Sequence, residues 1–249
     1  STPEEIEIGK RYGVESRKLL VMMHEVLGHG SGMVSPKLKA DPRAYLKEYY
    51  STLEEARADL VALWNFADPK LDELGIANRP ELMRAAYDAE ARSALTMLYR
   101  YPHGDQVEED HDRGNQMIVQ YLIKNFGCIE AVTQDGRVNL HVTDYARMHE
   151  GVGKLLAELM RIKAEGDYNA IRDLVNAYGV KLNTDWRDQV QARAARIGLP
   201  TRGAFLSPIL DVVRDAQGKP VDAKVRYTLN LSDVMLDYSR KSLDYLAQQ

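Results

Sequence analysis

The chain has 249 residues, a formal net charge of −4 and 45% apolar residues. That length suits one large domain or two small ones with a substantial core. Mild acidity without a basic stripe argues against nucleic acid as a partner, and no run approaches the roughly 18–20 apolar residues of a membrane span. The single cysteine, Cys128, rules out an internal disulfide. The chain opens Ser1-Thr2-Pro3, without methionine or signal peptide. A processed or excised piece is therefore the expectation, with the compartment open and the cytoplasm favoured.

In chain order, Leu19, Met22, Met23, Val26 and Leu27 recur at helical spacing and predict a helix over about 4–29. Asp41-Pro42 is a capping pair that opens a second helix to about residue 66. A third runs from Asn78-Arg79-Pro80 to about Tyr99, and a fourth from about Gln106 to Phe126. Ile129–Thr133 and Arg137–Val142 flank Asp135-Gly136, a hairpin signal. Helices follow at about 144–164, 168–178 and 185–197. Ile209–Val213 and Ala223–Leu229 read as paired strands, and a last helix covers about 232–247. The expected fold class is mainly α, a multi-helix lobe with two small β-hairpins. The division is 1–205 for the helical lobe and 206–249 for a hairpin and helix packed on or beside it.

His24-Glu25-Val26-Leu27-Gly28-His29 carries the chemistry. A His-Glu-x-x-His run puts two imidazoles one turn apart with a carboxylate beside them, the pattern of zinc peptidases. Here the second histidine stands at i+5, and on a regular helix the two would diverge by about 140°. One inserted residue is absorbed by a π-type bulge, and Gly28 is the residue expected to take the backbone angles that requires. A third ligand is needed, with one position left open for water. Glu54 and Glu55 are the candidates, on a helix expected to carry leucines on one side and carboxylates on the other. Asp59 or Glu54 would accept the second N–H of a ligand histidine. The metal would acidify water and polarise a carbonyl, with Glu25 as general base. Zinc suits two imidazoles and a carboxylate.

Other residues read as structural. His149-Glu150 begins a similar string, but Gly153 stands where a second histidine is needed, so the pair reads as surface. His103 and His141 sit beside turns. Leu19/Met22/Met23 and Tyr49/Tyr50 read as core stripes, and Cys128 as a small buried residue. His111 lies in the charge run Glu108–Arg113 and on its own reads as surface.

The motif pair His24–His29 and Glu54-Glu55-Ala56-Arg57-Ala58-Asp59 resembles the dipeptidyl-peptidase III family of zinc metallopeptidases, in its bacterial form. That family's signature is His-Glu-x-x-Gly-His followed by Glu-Glu-x-Arg-(Ala/Lys)-(Glu/Asp). Looser resemblance extends to Phe205-Leu206-Ser207-Pro208 and the hairpin beyond. The resemblance implies zinc ligands at His24, His29 and Glu55, the base at Glu25, and supporting carboxylates at Glu54 and Asp59. It also implies that His111 stabilises the transition state. Short peptides would be the substrates, losing N-terminal dipeptides, and an upstream β-rich lobe of the same parent protein would be the partner. Asn115 stands where the family has an arginine. The alternative reading is a non-catalytic, zinc-bound scaffold or binding module. An endopeptidase that cleaves N-terminally blocked peptides would share the same zinc chemistry.

Overall fold

In the computed structural model, which describes residues 1–199, 208–227 and 230–246, the chain is mainly α with two antiparallel two-stranded sheets. Helix α1 spans Pro3–Met23. The Thr2 side chain accepts from the Glu5 amide and the Glu5 carboxylate accepts from the Thr2 amide, a reciprocal cap. A π turn, His24–Gly28, continues it.

The single helix expected over 42–66 is interrupted. Helix α2, Pro42–Leu46, is capped by Asp41, which accepts from the Arg43 amide at 2.8 Å. Lys47, at φ +51°, breaks the path, and α3 then runs Tyr50–Asn65. A short α4, Lys70–Glu73, lies outside the sequence expectation. Helix α5 is Arg79–Thr96 and tightens to a 3₁₀ turn at Met97–Arg100. Helix α6, Asp110–Phe126, starts four residues later than expected. Gln106 is engaged in a bridge to Lys181, and Glu109 is the cap, accepting from the Asp112 amide at 2.8 Å.

Strands β1 (Ile129–Gln134) and β2 (Arg137–Val142) pair through Gln134↔Arg137. Asp135 and Gly136 both take positive φ, the requirement of a type I′ turn. Helix α7 is Tyr145–Glu165, and α8, Tyr168–Leu174, ends in a second π turn at Val175–Gly179. Helix α9 is Thr184–Ile197.

Two compact units divide the chain, Ser1–Leu199 and Pro200–Gln249. The second holds hairpin β3 (Ile209–Arg214) and β4 (Pro220–Arg226), with an irregularity at Val213/Arg214, and helix α10, Leu231–Leu246. Strand β4 starts three residues before the expected Ala223. Its expected end at Thr228-Leu229 lies outside the described residues, as do Phe205-Leu206-Ser207 and the last residue of the expected final helix, Ala247. Among the described residues no helix is long and apolar enough to cross a membrane.

Helix α3 is the axis of the first unit. It packs against α1, α6, α7 and the first π turn. Leu53, Ala56, Leu60 and Leu63 are fully buried, but so is Arg57, and Glu54 is 8% exposed. The expected two-sided helix is therefore enclosed almost all round. The Leu19/Met22/Met23 stripe also divides. Met23 is buried and Leu19 packs against the core, while Met22 faces outward, 64% exposed. Tyr12, Ser16, Leu20 and Met23 define the inner face of α1, and Met22 is off it.

Candidate metal centre

The π turn brings the two histidines of the motif together. The His29 amide donates to the His24 carbonyl at 3.0 Å, the i→i+5 bond that accommodates the extra residue. The imidazole rings meet edge to face with centroids 4.8 Å apart. Gly28 takes an ordinary negative φ, which corrects the expectation about its backbone angles. Its necessity is steric. A methyl group there would lie 2.7 Å from both Cα and Cβ of Ala58 and 3.0 Å from the Ala58 carbonyl. The π turn thus rests directly on the backbone of α3.

That contact sets the turn against Glu55. The His24 and His29 Nε2 atoms lie 3.4 and 3.6 Å from Glu55 Oε2. His111, from the start of α6, brings a third Nε2 to 3.2 Å from the same oxygen. Two donors about 2.0–2.1 Å from a tetrahedral ion stand about 3.3 Å apart, so each of these imidazole–carboxylate separations is compatible with a shared ion. The donor set also suits a dication in charge, with Glu25, Glu55 and Asp59 all close by. Glu25 has a carboxylate oxygen within 4.8 Å of the histidine donors. Glu55 is nearer to both rings, and Glu25 is exposed on the turn.

Two histidines have carboxylates behind them. Asp59 Oδ1 lies 2.7 Å from His24 Nδ1, and Glu109 Oε1 lies 2.7 Å from His111 Nδ1. The hydrogen bond to Asp59 raises the His24 pKa; burial opposes it, and the charges of Asp59, Glu55 and Glu25 reinforce it. For His111 burial pulls downward, but Glu109, Glu55 and Asp59 together prevail and the pKa is raised.

Glu54 is not beside a histidine. It receives the Arg57 guanidinium at 3.1 and 2.9 Å and Lys163 of α7 at 2.9 and 3.0 Å. Burial alone would raise its pKa; the two cations outweigh that and hold it below the usual carboxylate range. Asn115 is one turn past His111 and half-buried. His149 corrects the surface reading. It stacks on Trp64, with centroids 4.1 Å apart, and its Nδ1 meets the Tyr87 hydroxyl at 2.8 Å. Burial lowers its pKa.

The motif reading passed over Glu109, Lys163 and Glu90. Only Glu109 left a trace in the sequence, as an acidic residue two positions before a histidine. Glu90, on α5, is 7% exposed, and its Oε1 has no hydrogen-bond partner. Burial and the nearby charge of Asp59 push its pKa well above the usual range, against a weaker pull from Arg17.

No protein-family model and no curated protein matches the chain. Solved structures do. The chain is similar to DPP III from Caldithrix abyssi, with a TM-score of 0.61 and 22% identity over 78% of this chain and 34% of that one. Dipeptidyl-peptidase III from Corallococcus sp. strain EGB gives 0.56 and 22%, over 77% and 35%. The chain therefore has a DPP III-like fold and spans about a third of the length of these structures.

Two outcomes follow from the site's packing and electrostatics. Gly28→Ala should lose about 1–3 kcal/mol in chemical denaturation, because the added methyl meets backbone rather than a yielding side chain. Glu90→Gln should stabilise the metal-free protein with a definite pH sign. A carboxyl whose folded pKa is raised contributes stability below its unfolded pKa, about 4.3, and loses it as pH rises toward the folded value. The variant's gain in melting temperature should therefore be small near pH 4 and larger at pH 8. A gain that shrinks with rising pH would contradict the assignment.

Proposed function

We propose that the chain is the metal-binding part of a zinc metallopeptidase that releases dipeptides from the N-termini of short peptides. The observation that carries this reading is the approach of the His24 and His29 Nε2 atoms to one oxygen of Glu55, with Asp59 behind His24. His24, His29 and Glu55 would hold the ion. Zinc bound there supplies a Lewis acid for the scissile carbonyl and an acidified water.

The chain's own residues do the rest. Asp59 accepts the Nδ1 proton of His24, which leaves the Nε2 lone pair free and fixes the ring plane. Glu25, next to a ligand yet exposed, takes the proton of the attacking water on a carboxylate oxygen and passes it to the departing amine. Glu109 accepts a hydrogen bond from the Nδ1–H of His111 and favours the imidazolium, whose Nε2–H then faces the reacting region and donates to a developing oxyanion. Asn115 can donate a hydrogen bond on the same face of α6 but carries no charge, which weakens any grip on an anionic group.

Fold similarity to two dipeptidyl-peptidase III structures supports the class of reaction. The limited share of those structures that the chain spans supports a role within a longer polypeptide. Asn115 favours one competing reading, a zinc-bound module without turnover.

Zinc titrated into the metal-free chain should saturate at about one ion per chain, and His24→Ala should abolish that binding. Stoichiometric zinc in the variant would refute the ligand set. With the full parent protein and a dipeptidyl arylamide, Glu25→Gln should slow hydrolysis about 10²–10⁴-fold while zinc is retained. Equal rates would remove Glu25 as the base, and no hydrolysis by either protein would favour the non-catalytic module. Cleavage of N-terminally blocked peptides would instead identify an endopeptidase.

A further inference from the structure

The ring of His24 is steadied by Asp59 and that of His111 by Glu109. Among the described residues no side chain hydrogen-bonds the ring of His29, which is 33% exposed. Something else must fix it relative to Glu55. The chain around it offers an answer at Gly28 and Ser31. A helix end leaves carbonyls without intrahelical partners, and here the Gly28 carbonyl, the last of the π turn, accepts from Arg57 Nη1 at 2.8 Å. The same nitrogen lies 3.2 Å from Ser31 Oγ, and Ser31 returns its hydroxyl to the Gly28 carbonyl at 3.0 Å.

Arg57 is fully buried and stands two residues after Glu55 on the same helix. Its Nε and Nη2 are occupied by Glu54, so the guanidinium plane cannot swing. Lys163 holds Glu54 from the other side. The fork geometry of arginine serves both ends at once, which a lysine ammonium cannot reproduce.

We infer that Arg57 is a positioning residue that clamps the Gly28 carbonyl and the Ser31 hydroxyl, on either side of His29, to the helix carrying Glu55, and so sets the spacing of this ligand pair. It acts through the Gly28 carbonyl and the Ser31 hydroxyl and touches no reacting atom. The inference deepens the proposed metal reading and rests on it for its functional meaning.

The charge balance makes the clamp testable. Arg57→Met leaves Lys163 and Glu54 as a neutral buried pair, so the variant is not burdened with an isolated charge. Lys163→Met leaves Arg57 and Glu54 as a neutral pair too, but keeps the bond to Gly28. The two variants therefore disturb the same network, and only one cuts the clamp.

The first measurement is amide hydrogen exchange across residues 24–31 in the metal-free chain. It reads the His29 amide directly, through its bond to the His24 carbonyl. Arg57→Met should speed exchange there about tenfold or more beyond any change in global unfolding, and Lys163→Met should not. The second is zinc affinity by chelator competition, with the visible spectrum of the cobalt-substituted protein. Arg57→Met should weaken zinc about 10–100-fold and alter the cobalt bands, Arg57→Lys should fall between it and wild type, and Lys163→Met should stay within about twofold.

Equal effects of the two methionine variants on His29 exchange would overturn the clamp in favour of general loss of stability. If Arg57→Met does not fold, Ser31→Ala, which deletes one attachment, takes its place. Unchanged exchange in that variant would overturn the clamp. If wild-type chain binds no zinc, the metal reading falls, while the exchange measurement still decides the role of Arg57.

Discussion

The candidate site depends on how closely the π turn approaches α3. At Gly28 the two backbones are separated by less than a methyl group allows, since a Cβ would stand 2.7 Å from Ala58 Cα. A similar device recurs where α6 meets α3, with a Cβ on Gly114 falling 3.3 Å from the Ala56 amide. Small residues thus let two elements settle against one helix, and each delivers histidines to its Glu55. His24 and His29 arrive from the turn, and His111 from the first turn of α6.

So close a packing forces polar groups into the interior, because α3 carries the charges of the motif into its enclosed stretch. Burying an ion costs several kcal/mol unless it is paired and its hydrogen bonds are met. Glu54 solves this by accepting from both Arg57 and Lys163, and Arg57 solves its own by also donating to Gly28 and Ser31. The pairing joins three segments, α3, α7 and the end of the π turn. Glu90 is the contrasting case. Its Oε1 is unpartnered, and burial together with the nearby charge of Asp59 pushes its pKa up.

Much of this was legible in the residues, for identifiable reasons. The mainly helical class followed from apolar spacing and caps such as Asp41-Pro42, and the hairpin from Asp135-Gly136, because those signals are local. The i+5 histidine spacing announced a π turn, since no other regular geometry lets the two rings meet. The failures share a different cause. Lys47 broke a helix that its neighbours' periodicity predicted, and positive φ leaves no mark on a lysine's identity. Gly28 was assigned to backbone freedom when its reason was a neighbour 30 residues away. His149 looked like surface because nothing in its surroundings along the chain reveals Trp64 and Tyr87. Glu54 was placed beside a histidine by its adjacency to Glu55, but successive helical residues point about 100° apart, and Glu54 faces Lys163 instead.

That divergence of Glu54 from Glu55 explains why two adjacent carboxylates have unlike surroundings. Glu55 faces three imidazoles and remains 20% exposed on its side chain. Glu54 faces two cations in the interior. Asp59, one turn beyond Glu55, shares its face and reaches His24. One helix therefore faces the histidines with Glu55 and Asp59, and the buried network that holds the neighbouring backbone with Glu54 and Arg57. His29 is the histidine whose ring has no carboxylate behind it, and it is also the one whose flanking residues that network grips. Side-chain support and backbone support are complementary here: where no hydrogen bond holds the ring, the fold secures the neighbouring main chain from within.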